Sequence, residues 1–397
     1  MSIGPDNPVL KDNPMGDSVS SSDIVDDQSD TRWHGLPGDI RAVLPAWITA
    51  RILVLAGFVV ATTVSHRIIN STAAPLSDGL LAWDGSWYRD LAGGGYHSVP
   101  NAGVRFFPLF PVLGRVLAAP FGGHVDVVLV VIANVASFVT LVLIRRLVWN
   151  EKLDRKLADR AVWCVAIFPS AFVMVFAYSE SVMLALSVAA FLCMRQRRWW
   201  WVLPLGFLTA LARPTGVLLA IPILFEALRS WRMADVKDRV SRAAAIAAPV
   251  AGLVVYLGWV KQSFGDARLP FTVQDELRGG MRFPLTRIVE GFHQLLGSER
   301  FGDGLHLPFL LVLIALVVVA FRVFPGSYGL YAAAILIGAL SAENLNSIER
   351  YGLSAFPLLM ALAVISRPPQ VERAVMAVLG GGVVALSAMA WLGAYVP

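Results

Sequence analysis

The sequence predicts an all-α polytopic membrane protein, and three observations lead to this class. Of its 397 residues 56% are hydrophobic and only 15% are charged, and the mean hydropathy is +0.64. Soluble domains carry about 25% charged residues. Several apolar stretches also reach the roughly 20 residues that a helix needs to cross a bilayer. An ordinary soluble protein is therefore excluded.

The chain begins with a polar segment. Residues 1–43 are rich in Asp, Ser and Gly and contain no apolar core, and they begin without a basic region. Such a composition is typical of a disordered acidic tail and not of a signal peptide. We expect this tail to be cytoplasmic, and we assign residues 44–397 to a single transmembrane domain.

About eleven apolar runs follow, each a candidate crossing. Those that meet near Ser179 and near Arg213 are short and could form hairpins or broken helices, so the count is open by one or two. The runs are 44–65, 127–148, 161–178, 181–194, 199–212, 215–228, 243–260, 306–324, 328–342, 352–366 and 374–395.

One further apolar stretch, residues 104–122, is not counted as a crossing. It contains Pro108, Pro111 and Pro120, which favour an interfacial or re-entrant element over a straight membrane helix. Omitting it also places all strongly basic loops on one side of the membrane. We therefore expect a long first outer loop that contains interfacial helices.

The distribution of charge predicts the orientation. Arg and Lys are concentrated in the loops 145–160, 195–198 and 229–242, which the positive-inside rule assigns to the cytoplasm. The two longest loops, 66–126 and 261–305, lie on the opposite, nearly neutral side, where we expect the functional site at a plasma membrane. The net charge of +5 and the pI near 9.4 then reflect topology and not nucleic-acid binding.

Three tryptophans at 199–201 directly follow a basic segment and are expected to anchor the chain at the inner interface. The two cysteines, Cys164 and Cys193, lie within apolar runs and are expected to be small hydrophobic residues. The sequence contains no zinc-ligand spacing, no phosphate-binding loop with its lysine and no nucleophile elbow.

The first outer loop holds a carboxylate among aromatic residues. Asp84 is flanked by Trp83, Trp87 and Tyr88, and His97 follows nearby. Aromatic faces pack on the C–H surface of sugars while a carboxylate accepts hydrogen bonds from hydroxyls, so this segment is a candidate sugar subsite. The alternative is that the aromatics are interfacial anchors and Asp84 caps a helix.

Three more charged residues stand at the outer ends of apolar runs: Glu180, Arg213 and Arg350. Glu180 could simply occupy a first helical turn capped by Ser179, and the arginines could extend to lipid headgroups. Taken with Asp84, they match a site for a lipid-phosphate sugar. In that hypothesis the carboxylate takes a proton from an acceptor hydroxyl, while an arginine stabilises the departing phosphate.

At these positions the sequence resembles the PIG-V-like mannosyltransferases of the GT-C glycosyltransferase superfamily. The resemblance covers most of the membrane body. The motifs that carry it are Trp83-Asp84 with Tyr88, Gly95-Tyr96, Phe106-Phe107-Pro108 with Pro111, Phe168-Pro169 leading to Tyr178-Ser-Glu-Ser181, Arg213-Pro214 with Gly216, Phe264-Gly-Asp266 with Gln274, and Arg350-Tyr351 with Phe356-Pro357.

The resemblance implies a GT-C-type fold and inverting transfer of mannose from polyprenyl-phosphate-mannose to a lipid-linked glycan outside the cytoplasm. It implies that Asp84 is the catalytic base and that no bound metal or other cofactor is needed. We expect Arg350, with Arg213 or Arg105 as alternatives, to bind the donor phosphate. The expected sugar and acceptor contacts are Trp83, Trp87, Tyr88, Glu180, His97, Tyr351 and Gln274.

Two alternatives stay open at this point. A GT-C enzyme could transfer another sugar, such as arabinofuranose or glucose, because the sequence does not select the hydroxyl pattern. A lipid-linked sugar flippase would instead need polar residues deep within its helices, and here the polar clusters lie at one face. The acidic tail, and the lack of the soluble C-terminal domain that some GT-C relatives have, depart from the family pattern.

Overall fold

The computed structural model describes residues 35–69, 73–152, 154–280, 283–297, 304, 306–341 and 345–396. These residues form seventeen α-helices with short 3-10 turns between them, and no β-strand occurs within them. The helices are α1 Gly35–Val64, α2 Ala74–Asp78, α3 Asp84–Gly94, α4 Leu109–Ala118, α5 Val125–Lys152, α6 Arg155–Ala166, α7 Glu180–Arg195, α8 Trp199–Ala212, α9 Ala220–Arg229, α10 Val236–Phe264, α11 Leu269–Arg278, α12 Pro284–Leu296, α13 Leu307–Val323, α14 Gly326–Leu340, α15 Ile348–Ser354, α16 Pro357–Ile365 and α17 Pro369–Trp391.

Membrane-length helices confirm the predicted class in its coarse form. By length and composition α1, α5, α10 and α17 can each cross a bilayer, and α15 with α16 can make a fifth span that is bent by 86°. The other apolar runs form shorter helices; α7, for example, has 16 residues, or about 24 Å. The count of about eleven crossings is therefore not confirmed.

The first helix begins earlier than the sequence analysis placed it. Residues 35–43, expected to belong to the disordered tail, form the first turns of α1, and the rest of that tail lies outside the described residues. The reason is an ion cluster: buried Asp39 pairs with Arg145 at 2.5 Å and with Arg146 at 2.7 Å. These two ion pairs offset the cost of burying the charged Asp39 near the start of the helix.

The core consists of long helices packed side by side. Among the described residues, α8 packs on α7 and α10, α5 packs on α7, and α1 packs on α17. Trp199, expected to anchor at the interface with its neighbours, is instead buried and packed against Arg242. Trp200 and Trp201 are more than half exposed, in agreement with that expectation.

Both of the longest predicted loops, 66–126 and 261–305, contain short helices. In the first loop α4 covers only ten residues, or about 15 Å, too little to cross a bilayer. This length agrees with the expectation that residues 104–122 do not cross the membrane. In the second loop α11 packs against the 3-10 turn Asn101–Arg105, so the two loops meet. The candidate site lies where they meet.

Candidate active site

A cavity of about 170 Å³ lies between α3, α11, α15 and the start of the 3-10 segment Pro214–Leu219. Seven of the residues predicted for the site meet at its wall, and seven further residues complete it. The predicted ones are Asp84, Tyr88, Arg105, Arg213, Gln274, Arg350 and Tyr351. The others are Phe106, Phe107, Ala212, Pro214, Thr215, Pro270 and Phe271.

Asp84 lies in the first turn of α3, where its carboxylate can face the cavity. Arg350 donates a hydrogen bond from Nη1 to Asp84 Oδ2 at 2.8 Å, and Asp84 keeps 21% of its side chain exposed. Its backbone N–H is directed at the hydroxyl of Tyr178 at 3.3 Å. Asp84 is therefore not the helix cap considered above, since Trp83 occupies that position.

The backbone immediately before Asp84 is strained. Trp83 has a φ of +61° and a ψ of −119°, a conformation that costs a residue with a side chain about 1–3 kcal/mol. Packing holds it there, because the Trp83 indole donates a hydrogen bond to the carbonyl of Ala390 at 2.8 Å. Trp83 consequently points toward α17 and does not line the cavity, a position that gives no support to its expected role in sugar binding.

Arg350 lies on α15, a short helix fixed from several sides. Its N-cap Ser347 has a φ of +69°. Glu349, which directly precedes Arg350, is buried and accepts a hydrogen bond from the Tyr395 hydroxyl at 3.0 Å, and its carboxylate lies 2.9 Å from His306 Nδ1. Arg350 is almost fully buried. It therefore cannot be extending to lipid headgroups.

Glu180 lies beneath the cavity wall, a position that gives no support to its expected role as a sugar contact. Its carboxylate is fully buried and pairs with both Arg213 and Arg350. Ser179 does not cap α7 with its side chain; its hydroxyl lies 2.7 Å from the hydroxyl of Tyr88. Glu180 thus orients two arginines toward the cavity and does not itself line it.

The charges at the site leave a net positive balance. Arg105, Arg213 and Arg350 outnumber the carboxylates of Asp84 and Glu180 by one. Burial alone would disfavour ionisation of Asp84, but the three arginines outweigh it and hold the pKa of that carboxyl below its usual range. The site therefore presents an ionised carboxylate beside an arginine set suited to an anion.

Tyr88 projects from α3 one turn after Asp84, so both side chains reach the same cavity. Burial raises the pKa of its hydroxyl well above the usual value, so the phenol stays protonated at neutral pH. Its ring packs edge-on against Phe106 and Phe110. Tyr88 can thus donate or accept a hydrogen bond without changing charge.

Two further predicted residues, in addition to Trp83 and Glu180, do not line the cavity. Trp87 stacks on Phe106 with ring centroids 5.7 Å apart and lines a separate groove with Arg89 and Asp90. His97 is exposed and stacks on Phe264 at 4.8 Å. The reason is local, because α3 directs Trp87 to another face than Asp84 and Tyr88, and His97 follows the end of that helix. Their expected contacts with sugar or acceptor stay predictions.

Aromatic residues that the sequence analysis did not assign to the site complete its walls. Phe106 and Phe107 belong to the motif Phe106-Phe107-Pro108, and Arg105 lies over Phe106 at 4.7 Å, so this motif could have indicated that both rings belong to the site. Pro270 and Phe271 come from α11 and carried no signal beyond their position in a long outer loop. Within the described residues, no three His, Cys, Asp or Glu side chains approach closely enough to hold a metal ion.

Comparison with known proteins yields no family model and no curated protein that matches the chain. Similar solved structures include three of the oligosaccharyltransferase of Archaeoglobus fulgidus: a complex with zinc and sulfate, a form tethered to an acceptor peptide containing the NVT sequon, and the apo form. Their sequence identities are 15%, 13% and 13%, with TM-scores of 0.44, 0.42 and 0.41.

These alignments cover 86% to 87% of this chain and 53% to 55% of the oligosaccharyltransferase, so the chain spans about half the length of that protein. A likeness this distant carries no argument about this chain, so the GT-C fold and the PIG-V-like resemblance remain predictions.

Proposed function

We propose that the protein is a membrane glycosyltransferase of the GT-C type that transfers a sugar from a lipid-phosphate donor to a hydroxyl group. One observation carries the proposal: an ionised carboxylate, Asp84, is paired with Arg350 in a cavity that Arg105 and Arg213 also line. This arrangement brings a proton acceptor and an anion-binding group within a few ångströms of each other.

In the proposed reaction the acceptor oxygen attacks the anomeric carbon of the donor sugar. Asp84 takes the proton of the acceptor hydroxyl, the new C–O bond forms, and the bond between the anomeric carbon and the phosphate oxygen breaks. The bonding electrons leave with the lipid phosphate. A single displacement of this kind inverts the anomeric configuration.

The Asp84–Arg350 pair suggests how the donor is received. A phosphate has the charge and shape to accept the paired N–H groups of a guanidinium, so a bound donor can take over part of the contact with Arg350. Asp84 then loses some of the positive charge that depresses its pKa and becomes a better base. Glu180 stays paired with both Arg350 and Arg213 during this exchange.

The identity of the substrates rests on the resemblance to PIG-V-like enzymes. On that basis the donor is polyprenyl-phosphate-mannose and the acceptor is a lipid-linked glycan, such as a phosphatidylinositol mannoside or a lipoglycan. The reaction takes place at the extracytoplasmic face of the plasma membrane and requires no metal or other cofactor. Tyr88, Tyr351 and Gln274, which line the cavity, contact the sugars.

Transfer of labelled mannose tests the proposal in detergent, where transport across a membrane has no meaning. We expect the purified protein to convert polyprenyl-phosphate-mannose with a lipid-linked acceptor. Asp84→Asn should abolish nearly all transfer because the amide cannot accept the proton. Asp90→Asn is the matched control, since Asp90 lies on the same helix, half exposed and outside the cavity.

Near-normal transfer by Asp84→Asn would remove the assigned base. No transfer by the unaltered protein, combined with donor movement across vesicle membranes, would favour a flippase instead.

A further inference from the structure

Helix α12 exposes a narrow apolar stripe on the second outer loop. Leu285, Val289, Phe292 and Leu296 are between 41% and 80% exposed, and Phe283 directly before the helix is 68% exposed. The first four are spaced four, three and four residues apart, so they share one face of the helix. A continuous apolar surface of this kind indicates contact with something other than water.

The face next to this stripe is attached to the body of the protein. Ile288 and Leu295 pack against the main core. Any side chain at Gly291 would come within 3.5 Å of Leu307 and Leu345, so the helix lies directly on both residues. Helix α12 therefore rests on the start of α13 and on the segment that leads into α15.

The third face of α12 is polar. Thr286 and His293 are exposed, and Glu290 pairs with Arg287 of the same helix at 2.7 Å. At ~100° per residue, the polar face lies opposite the two apolar faces taken together. One of these two faces packs on the protein and the other, the stripe, is exposed. A helix that lies in the surface of a bilayer requires this division.

The helix on which α12 rests also exposes an apolar surface. Helix α13 begins at Leu307, the residue beneath Gly291, and exposes Leu311, Val312 and Val318 along its length. Two helices in direct contact thus both present apolar side chains outward, in a protein whose longest apolar helices are long enough to cross a bilayer. This combination favours lipid over water or a second protein as the neighbour of the stripe.

We propose that α12 is an interfacial helix that binds the surface of the lipid bilayer at the end of the molecule that carries the cavity. Its stripe enters the boundary between headgroups and acyl chains, and its polar face stays in water. Only residues 279–283 separate it from α11, whose Pro270, Phe271 and Gln274 line the cavity. The bilayer therefore anchors the helix that follows α11, whose residues line the cavity.

Spin-label accessibility tests the position of α12 without reference to any enzymatic activity. The full protein, with Cys164 and Cys193 replaced by Ala, receives single cysteines at Val289 or Phe292 on the stripe, or at Thr286 on the polar face as the matched control. Each variant is labelled with a nitroxide and reconstituted in phosphatidylcholine vesicles. Collision rates are then measured with dissolved oxygen, which concentrates in lipid, and with a water-soluble nickel chelate.

Labels at both stripe positions should collide more often with oxygen than with the chelate, and the label at Thr286 should show the reverse. Frequent collision with the chelate at Val289 and Phe292 would place the stripe in water and overturn the proposal. Low accessibility to both reagents would show that a protein surface, from a second copy or a partner, covers the stripe, and would overturn it equally. Because the substituted stripe positions are exposed, the labels should leave the fold intact, and a thermal unfolding curve for each labelled variant verifies this.

Discussion

Replacing Arg350 by Gln tests the electrostatic logic of the site. Arg350 donates to Asp84 at 2.8 Å and reaches Glu180 at 3.4 Å, so its removal leaves two carboxylates beside Arg105 and Arg213 and reduces the net charge from +1 to zero. Removing one donor that stabilises charge in a transition state lowers kcat by about 10²–10³-fold. We expect a loss of that order in sugar transfer.

The pH dependence gives a second measure of the same change. Asp84 acts as a base only when ionised, and its depressed pKa places the acid limb of kcat/KM for the unaltered protein below about pH 4, the ordinary Asp value. Without Arg350 the pKa must rise, so the acid limb should move to higher pH. In the unaltered protein the ion pair between Asp84 and Arg350 also stabilises the fold at pH values at which Asp84 is ionised. This stabilisation is lost as the pH falls through the depressed pKa that Asp84 has in the folded protein.

Folding must be separated from catalysis, because removing one partner of a buried ion pair costs about 3–5 kcal/mol of stability. Arg195→Gln is the matched control, since Arg195 joins Glu151 and Glu226 in an ion cluster elsewhere in the protein, among residues that do not line the cavity. It should lower the unfolding temperature and leave transfer per folded molecule unchanged. A folded Arg350→Gln variant with normal kcat and an unmoved acid limb would refute the proposed role.

Two further substitutions test the residues that support the cavity. Glu180→Gln should raise the donor KM by about tenfold to a hundredfold, because an arginine that is no longer oriented by Glu180 loses one charge-assisted hydrogen bond to the donor, which costs about 1.5–3 kcal/mol. Glu226→Gln alters a buried carboxylate outside the cavity and should leave that KM unchanged. Equal donor KM values for the two variants would contradict the positioning role of Glu180. Tyr88→Phe removes the contact with Ser179 and should lower kcat/KM by about two- to tenfold, in line with ~0.5–1.5 kcal/mol for a neutral hydrogen bond. An unaffected kcat/KM in that variant would place the Tyr88 hydroxyl outside the reaction.

The sequence is informative where a charge lies at the end of an apolar run or among aromatic residues in a long loop. Arg213 and Arg350 are of the first kind and Asp84 is of the second, and the structure brings all three to one cavity. Positive-inside counting predicts such residues on one side of a membrane, and charges are rare enough there to be noticed. Glu180 was predicted on the same basis, but spacing cannot show whether a carboxylate faces a cavity or lies beneath its wall, as Glu180 does.

The aromatic residues around Asp84 were harder to assign for a geometric reason. Trp83, Trp87 and Tyr88 lie within six residues of one another, yet the strained backbone at Trp83 and the turn of α3 direct them to three different surroundings. Of these three aromatic residues only Tyr88 lines the cavity. Hydropathy has a similar limit, because the bend of 86° between α15 and α16 falls within the single apolar run 352–366.

The hydrogen bonds around α17 bear on the order in which the protein becomes active. Trp83 bonds to the carbonyl of Ala390, Trp391 bonds to the carbonyl of Gly79, and Tyr395 bonds to Glu349 beside Arg350. Both halves of the Asp84–Arg350 pair are thus fastened by the last described segment of the chain. During synthesis the helices before α17 emerge first, so a growing chain that has not yet added α17 and Tyr395 lacks all three of these contacts, and both halves of the pair gain this support only once that segment is in place.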